Sequence, residues 1–130
     1  VLPVWVPSDA VVAIHQALLQ EHGGLQGPPR PDSLEAALAR PRQLHHYTQP
    51  RSSLARLAAA YGFGLAKGHC FADGDKRIAL AIIHVFLQMN GSELAASEPD
   101  AVVTIQSLAA GKLSEEELAS WTETNAQPIR

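Results

Sequence analysis

At 130 residues the chain has about one domain's length, enough to bury a core. Its residues are 46% hydrophobic but only 5% aromatic, which points to an alanine- and leucine-rich helical protein and away from a β-sandwich. A formal charge of −3 argues against direct nucleic-acid binding, whose footprint is basic, and the single cysteine excludes an internal disulfide and suits a reducing compartment.

In chain order, residues 1–6 are β-prone but interrupted by Pro3 and followed by Pro7, which suits one edge strand or an extended arm. Ser8-Asp9 supplies an N-cap for a first helix to about His22, with Val11, Ile14, Leu18 and Leu19 as its apolar stripe and Gly23-Gly24 as its stop. On this reading His15 and His22 share an exposed face. Residues 25–31, rich in glycine and proline, form a loop. Asp32 or Ser33 caps a short second helix to about Ala39, which Pro41 ends, and residues 42–50 with His45-His46-Tyr47 form a polar surface loop. Ser52-Ser53 caps a third helix in which Leu54, Leu57, Ala58, Tyr61 and Leu65 recur at helical spacing. Gly62, Gly64 and Gly68 weaken that helix by propensity and are expected to allow close packing.

The fourth helix is the centre of the design. From residue 78 to 89 the chain is apolar except for His84 and Gln88, and Asn90-Gly91 supplies the stop. Glu98-Pro99 opens a fifth helix, residues 100–110, stopped by Gly111; Ser114 and Glu117 have capping-box spacing at the start of a sixth, which runs through Trp121 and then frays. With no repeat, linker or low-complexity tract, residues 1–130 read as one all-α domain of about six helices around a buried helix at about 75–90. No signal-peptide pattern opens the sequence and the core run is too short to span a bilayer, so no membrane contact and a cytoplasmic location are expected. Val1 in place of methionine implies a trimmed start.

The chemistry concentrates in the decapeptide before the core helix: Gly68-His69-Cys70-Phe71-Ala72-Asp73-Gly74-Asp75-Lys76-Arg77. It lies at a helix N-terminus, where free N–H groups and the positive end of the dipole hold anions. Gly74 permits close backbone approach, Lys76 and Arg77 add charge that suits phosphate, and His69 supplies a base of near-neutral pKa. Elsewhere ordinary roles fit better. Cys70 reads as a small buried thiol, His45-His46 as loop residues without a ligand partner, His84 as a satisfied core histidine, and Trp5 and Trp121 as packing or partner contacts.

The run His69-x-Phe71-x-Asp73-Gly74-x-Lys76-Arg77, with the core helix and Asn90-Gly91 behind it, resembles the Fic/Doc superfamily and most of all its Doc, or death-on-curing, branch. Gly23-Gly24-Leu25-x-Gly27 and Leu34-Glu35-x-Ala37-Leu38-Ala39-Arg40-Pro41 extend the resemblance over nearly the whole chain. The resemblance implies a helical toxin that uses ATP and Mg2+ to phosphorylate a hydroxyl of a translation factor, as Doc-like proteins do to a threonine of elongation factor Tu, so inhibiting translation and growth. It also implies a cognate Phd-like antitoxin whose peptide fills a groove near the site. Residue by residue, His69 matches the general base, Asp73 the metal-binding acid, Lys76 and Arg77 the phosphate clamps, and Phe71 the loop anchor. Lys76 stands where AMP-transferring Fic proteins have glycine and favours the kinase reading; AMP transfer is the alternative.

Position 75 departs from the pattern, with Asp where the branch has Asn. As caps the two are equivalent, but toward phosphate an amide donates whereas a carboxylate repels. Two outcomes follow: Asp75 joins Asp73 in holding the metal, or the chain is a degenerate member that acts by binding.

Overall fold

The computed structural model describes residues 2–48 and 52–129, so Val1 and the end of the expected 42–50 loop lie outside the described residues. Six helices and one two-stranded ribbon make up the fold: α1 (Ser8–His22), α2 (Pro31–Tyr47), α3 (Leu54–Lys67), α4 (Asp75–Met89), β1 (Ser92–Leu94), α5 (Glu98–Ala109), α6 (Glu115–Asn125) and β2 (Ala126–Pro128). The all-α expectation holds, with a buried helix at its centre.

On α4, the side chains of Ile78, Ile82, Ile83, Phe86 and Leu87 are all fully buried. Each is worth about 1.5–3 kcal/mol against the extended chain. α3 shares the centre, touching α2, α4, α5 and α6. Its glycines explain how. A Cβ on Gly62 would come within 2.5 Å of Ile83 Cδ1 on α4, and one on Gly64 would lie 3.2 Å from the Ala37 Cα of α2. The helix accepts the propensity cost of both glycines because each lets another helix approach closely.

Serine side chains cap three helices; those of α3 and α6 are the caps the sequence points to, and Ser97 of α5 is an addition. Ser53 Oγ accepts from Arg56 N, Ser97 Oγ from Asp100 N, and Ser114 and Glu117 form the reciprocal capping box. At the other two expected side-chain caps the structure differs. α1 begins directly after Pro7, with Ser8 and Asp9 already helical, and α2 begins with Pro31 in its first turn, with Asp32 and Ser33 inside. Proline's fixed φ and missing N–H serve as the start in place of a side-chain cap.

The larger correction concerns α2. It does not end before Pro41 but continues to Tyr47, so His45-His46-Tyr47 is helix and not loop. A mid-helix proline costs about 3 kcal/mol. Here Pro41 is buried, Leu38 and Leu44 pack on the core, His45 meets the Trp5 ring edge-on at 5.7 Å, and tertiary burial outweighs the lost backbone bond. Residues 2–7 form an extended arm and not a strand: Val4 exchanges hydrogen bonds with the Asn90 side chain, and Val6 N donates to the Tyr61 hydroxyl at 3.1 Å. α6 does not fray after Trp121. It runs to Asn125 and passes into β2, which pairs antiparallel with β1 in the register Ser92↔Pro128, Glu93↔Gln127, Leu94↔Ala126. No helix among the described residues is long and apolar enough to cross a membrane.

Candidate active site

The loop between α3 and α4 starts with a glycine packed tightly against the end of α3. A Cβ on Gly68 would collide with the Gly64 carbonyl oxygen that the Gly68 amide bonds. His69 follows at φ 51°, the one non-glycine residue in the left-handed region among the described residues. That conformation costs about 1–2 kcal/mol. Arg30, just before α2, holds it: its guanidinium donates to the carbonyls of His69 and Phe71, and its own N–H donates to the Cys70 carbonyl at 2.7 Å. The His69 side chain is left exposed. Cys70 turns inward, fully buried, where loss of solvent pushes its thiol up to about 11. It is therefore inert packing, as its composition suggests, and not half of a dyad with His69.

Phe71 plunges into the core and stacks on the imidazole of His15, ring centroids 3.6 Å apart and planes within 15°. His15 is only 3% exposed, which corrects its reading as a surface residue. The signal was available: Val11, His15 and Leu19 recur every four residues and all face the core. His22, by contrast, is exposed.

Asp73 and Asp75 have different surroundings. Asp73 is exposed and accepts two backbone hydrogen bonds, from Leu25 N at 3.0 Å and Gly74 N at 2.8 Å. Those amides, the Leu25 bond foremost, hold its carboxyl below the usual range, and Arg77 adds to the effect. Gly24 makes room for it: a Cβ there, at φ 135°, would lie 2.9 Å from Asp73 Oδ2. The Gly23-Gly24-Leu25 run is thus the receptor for the loop's outer carboxylate. Asp75 is half-buried and accepts from Phe71 N at 3.3 Å, bracing the loop from within; burial pushes its carboxyl up.

Gly74, at φ 82°, is the left-handed N-cap of α4, and the first helical bond runs from Ile78 N to Gly74 O. The amides of Asp75, Lys76 and Arg77 therefore precede the ladder at the positive end of the helix, with the Lys76 and Arg77 side chains exposed around them. An exposed histidine, an ionised exposed carboxylate, two exposed cations and free helix amides thus belong to one short loop and the first turn of α4, with Arg77 near enough to Asp73 to act on its carboxyl. The residues fit a Mg2+–nucleotide. Asp73 is ionised and exposed, with lone pairs beyond its two amide bonds, and magnesium takes one or two carboxylates and completes its shell with phosphate and water. Among the described residues no three His, Cys, Asp or Glu side chains gather to hold a metal alone. Two clefts of about 480 and 510 Å³ lie elsewhere, one between α2, α3 and α6 around Arg40 and Arg56, the other between the arm, α1 and α2 around Leu34 and Leu38. Sequence reasoning missed the loop contacts of His15 and Arg30 and gave Gly24 only the role of a helix stop; all three act through folding back of distant segments.

A buried helix whose N-terminal mouth carries His-x-Phe-x-Asp-Gly-x-Lys-Arg defines a class, and the Fic/DOC family model matches residues 5–87, from the arm through nearly all of α4. The chain belongs to the Fic/DOC family. It is 31% identical over 109 residues to "Protein kinase doc" of Escherichia phage P1, covering 84% of this chain and 85% of that protein. It is 41% identical over 63 residues to "Toxin Doc" of Mycolicibacterium smegmatis (strain ATCC 700084 / mc(2)155), covering 48% of each.

Proposed function

We propose that this chain is a Doc-like toxin that transfers the γ-phosphoryl group of ATP to a serine or threonine hydroxyl of a translation factor. The observation that carries the reading is the loop and helix mouth together: three amides at the start of α4 precede its ladder, Lys76 and Arg77 of that same turn are exposed, and exposed His69 and ionised Asp73 lie in the loop that leads into it. Similarity to a protein named as a kinase, over most of both chains, supports phosphate over AMP.

In this reading the target hydroxyl gives its proton to the His69 imidazole as its oxygen bonds the γ-phosphorus. The bond from that phosphorus to the bridging oxygen breaks and ADP leaves with the electron pair. Lys76, Arg77 and the amides of the α4 mouth hold the phosphates in line and balance charge as it spreads over their oxygens. Asp73 would hold Mg2+, which when bound neutralises phosphate charge. Phe71, Arg30 and Asp75 keep the loop in shape so that little reorganisation is left for the reaction. A Phd-like antitoxin is the proposed partner, and the cytoplasm the proposed location.

The test is mass spectrometry of elongation factor Tu after incubation with the purified protein, ATP and Mg2+. A phosphate adduct that disappears with His69→Ala or Asp73→Ala is expected. An AMP adduct would replace this reading with nucleotidyl transfer. Asp75 favours one rival, a chain that acts by binding alone; growth inhibition that persists in His69→Ala would establish it.

A further inference from the structure

His15 belongs to α1, far in sequence from the loop, and no step above uses it. Yet its environment is specific. The ring is buried, lies parallel against Phe71, and places Nε2 2.7 Å from the main-chain oxygen of Asp73. A peptide oxygen only accepts, so Nε2 carries the proton and donates. A Cβ added to Gly74 would come within 3.3 Å of that same nitrogen, so the glycine both takes φ 82° and leaves space for the imidazole. A single ring therefore fixes the loop twice, at its apolar anchor and at the peptide of its outer carboxylate.

From this geometry we infer that His15 is a positioning residue for Asp73. The exposed Asp73 side chain accepts from Leu25 N while its carbonyl accepts from buried His15, so the residue is held at both its side chain and its main chain by two different segments. Deleting the inner pin frees the peptide plane between Asp73 and Gly74, and the carboxylate loses its fixed direction. Phe71 alone does not prevent this, because a stacked ring resists withdrawal from the core but not rotation of a peptide two residues on. The consequence for Mg2+–ATP rests on the phosphoryl-transfer reading above; the consequence for the loop does not.

Two variants of the full chain separate the parts of the ring. His15→Phe keeps the stack on Phe71 and removes the donor, and His15→Gln keeps a donor near the Nε2 position. Without nucleotide, hydrogen exchange at the Leu25 and Gly74 amides, which Asp73 engages, is expected to rise about tenfold in His15→Phe, from loss of one part-buried hydrogen bond. Exchange at Ile82 and Ile83 should stay at the wild-type rate, and His15→Gln should restore most of the loop protection. With ATP, the Mg2+ concentration for half-maximal binding should rise by a similar factor in His15→Phe and recover in His15→Gln. Unchanged exchange at Leu25 and Gly74 in His15→Phe would overturn the inference. So would a uniform rise through α3 and α4, which marks ordinary core packing, or a His15→Gln indistinguishable from His15→Phe. If His15→Phe does not fold, His15→Met against His15→Gln gives the same donor comparison. Failure of wild type to bind Mg2+–ATP would remove the functional reading and leave the exchange result to decide His15.

Discussion

Replacing Asp75 with Asn probes the one residue at which this chain leaves the Doc pattern. Asp75 Oδ1 accepts from Phe71 N, and an asparagine carbonyl oxygen can accept the same bond, so Asp75→Asn should leave the loop and its Phe71 anchor in place. What changes is charge. A carboxylate about 4 Å from a phosphate oxygen costs roughly 1 kcal/mol in bulk water and about 4 kcal/mol at an effective dielectric of 20. Asp75 is half-buried, so its cost falls between these limits, about 2 kcal/mol, or about thirtyfold in affinity. Isothermal titration with Mg2+–ATP should therefore show the variant binding about thirtyfold more tightly, with the same melting profile apart from a small gain. Equal affinity within twofold would refute the repulsion and indicate that the carboxylate is accommodated, with Asp75 turned to the metal beside Asp73. Binding by neither protein would remove the nucleotide from the proposed function altogether.

Gly62→Ala should destabilise the fold by about 1–2 kcal/mol even though alanine favours helices, because its methyl would press on fully buried Ile83; a melting temperature unchanged or raised would contradict the packing. Gly24→Ala should destabilise the fold by about 1–3 kcal/mol, because φ 135° suits only glycine and the methyl would press on buried Leu19, and it should also displace the Asp73 carboxylate from Leu25, seen as an Mg2+ requirement for ATP binding raised about tenfold; an unaltered melting temperature and requirement would show that the Gly24 contact is incidental. Cys70 should resist iodoacetamide at pH 8 and react on unfolding in urea. Because burial raises its folded pKa from 9.0 to about 11, the thiol binds more protons in the folded state between those values, so stability should fall as pH rises through that window. Cys70→Ala should flatten that part of the stability profile, and an identical slope would count against the burial account.

Local rules were enough to find much of this protein. The apolar run of α4, the serine caps of α3 and α6, and the ordered polar loop are all properties of neighbours in sequence, and periodicity and capping report neighbours directly. Composition likewise fixed the helical class. The failures share a different character. Pro41 breaks a helix by local chemistry, but burial of Pro41 and Leu44 and the contact of His45 with Trp5 keep α2 intact, and no local rule contains Trp5. The β1–β2 ribbon joins residues some thirty apart, in strands of three residues that are too short to declare themselves by alternation.

The site divides the same way. By itself the sequence determined that a histidine, carboxylates and cations cluster at the start of a buried helix, because they are neighbours along the chain. Only the tertiary structure decided what each polar group does there. It placed Asp73 outward on Leu25 N and Asp75 inward on Phe71 N, two neighbouring aspartates given opposite environments by amides from other parts of the chain. It also brought Arg30 over the His69 carbonyl and His15 beneath Asp73. Such contacts join the loop to segments about 40 and 60 residues away, and their energy depends on burial and direction, which exist only once the chain has closed on itself.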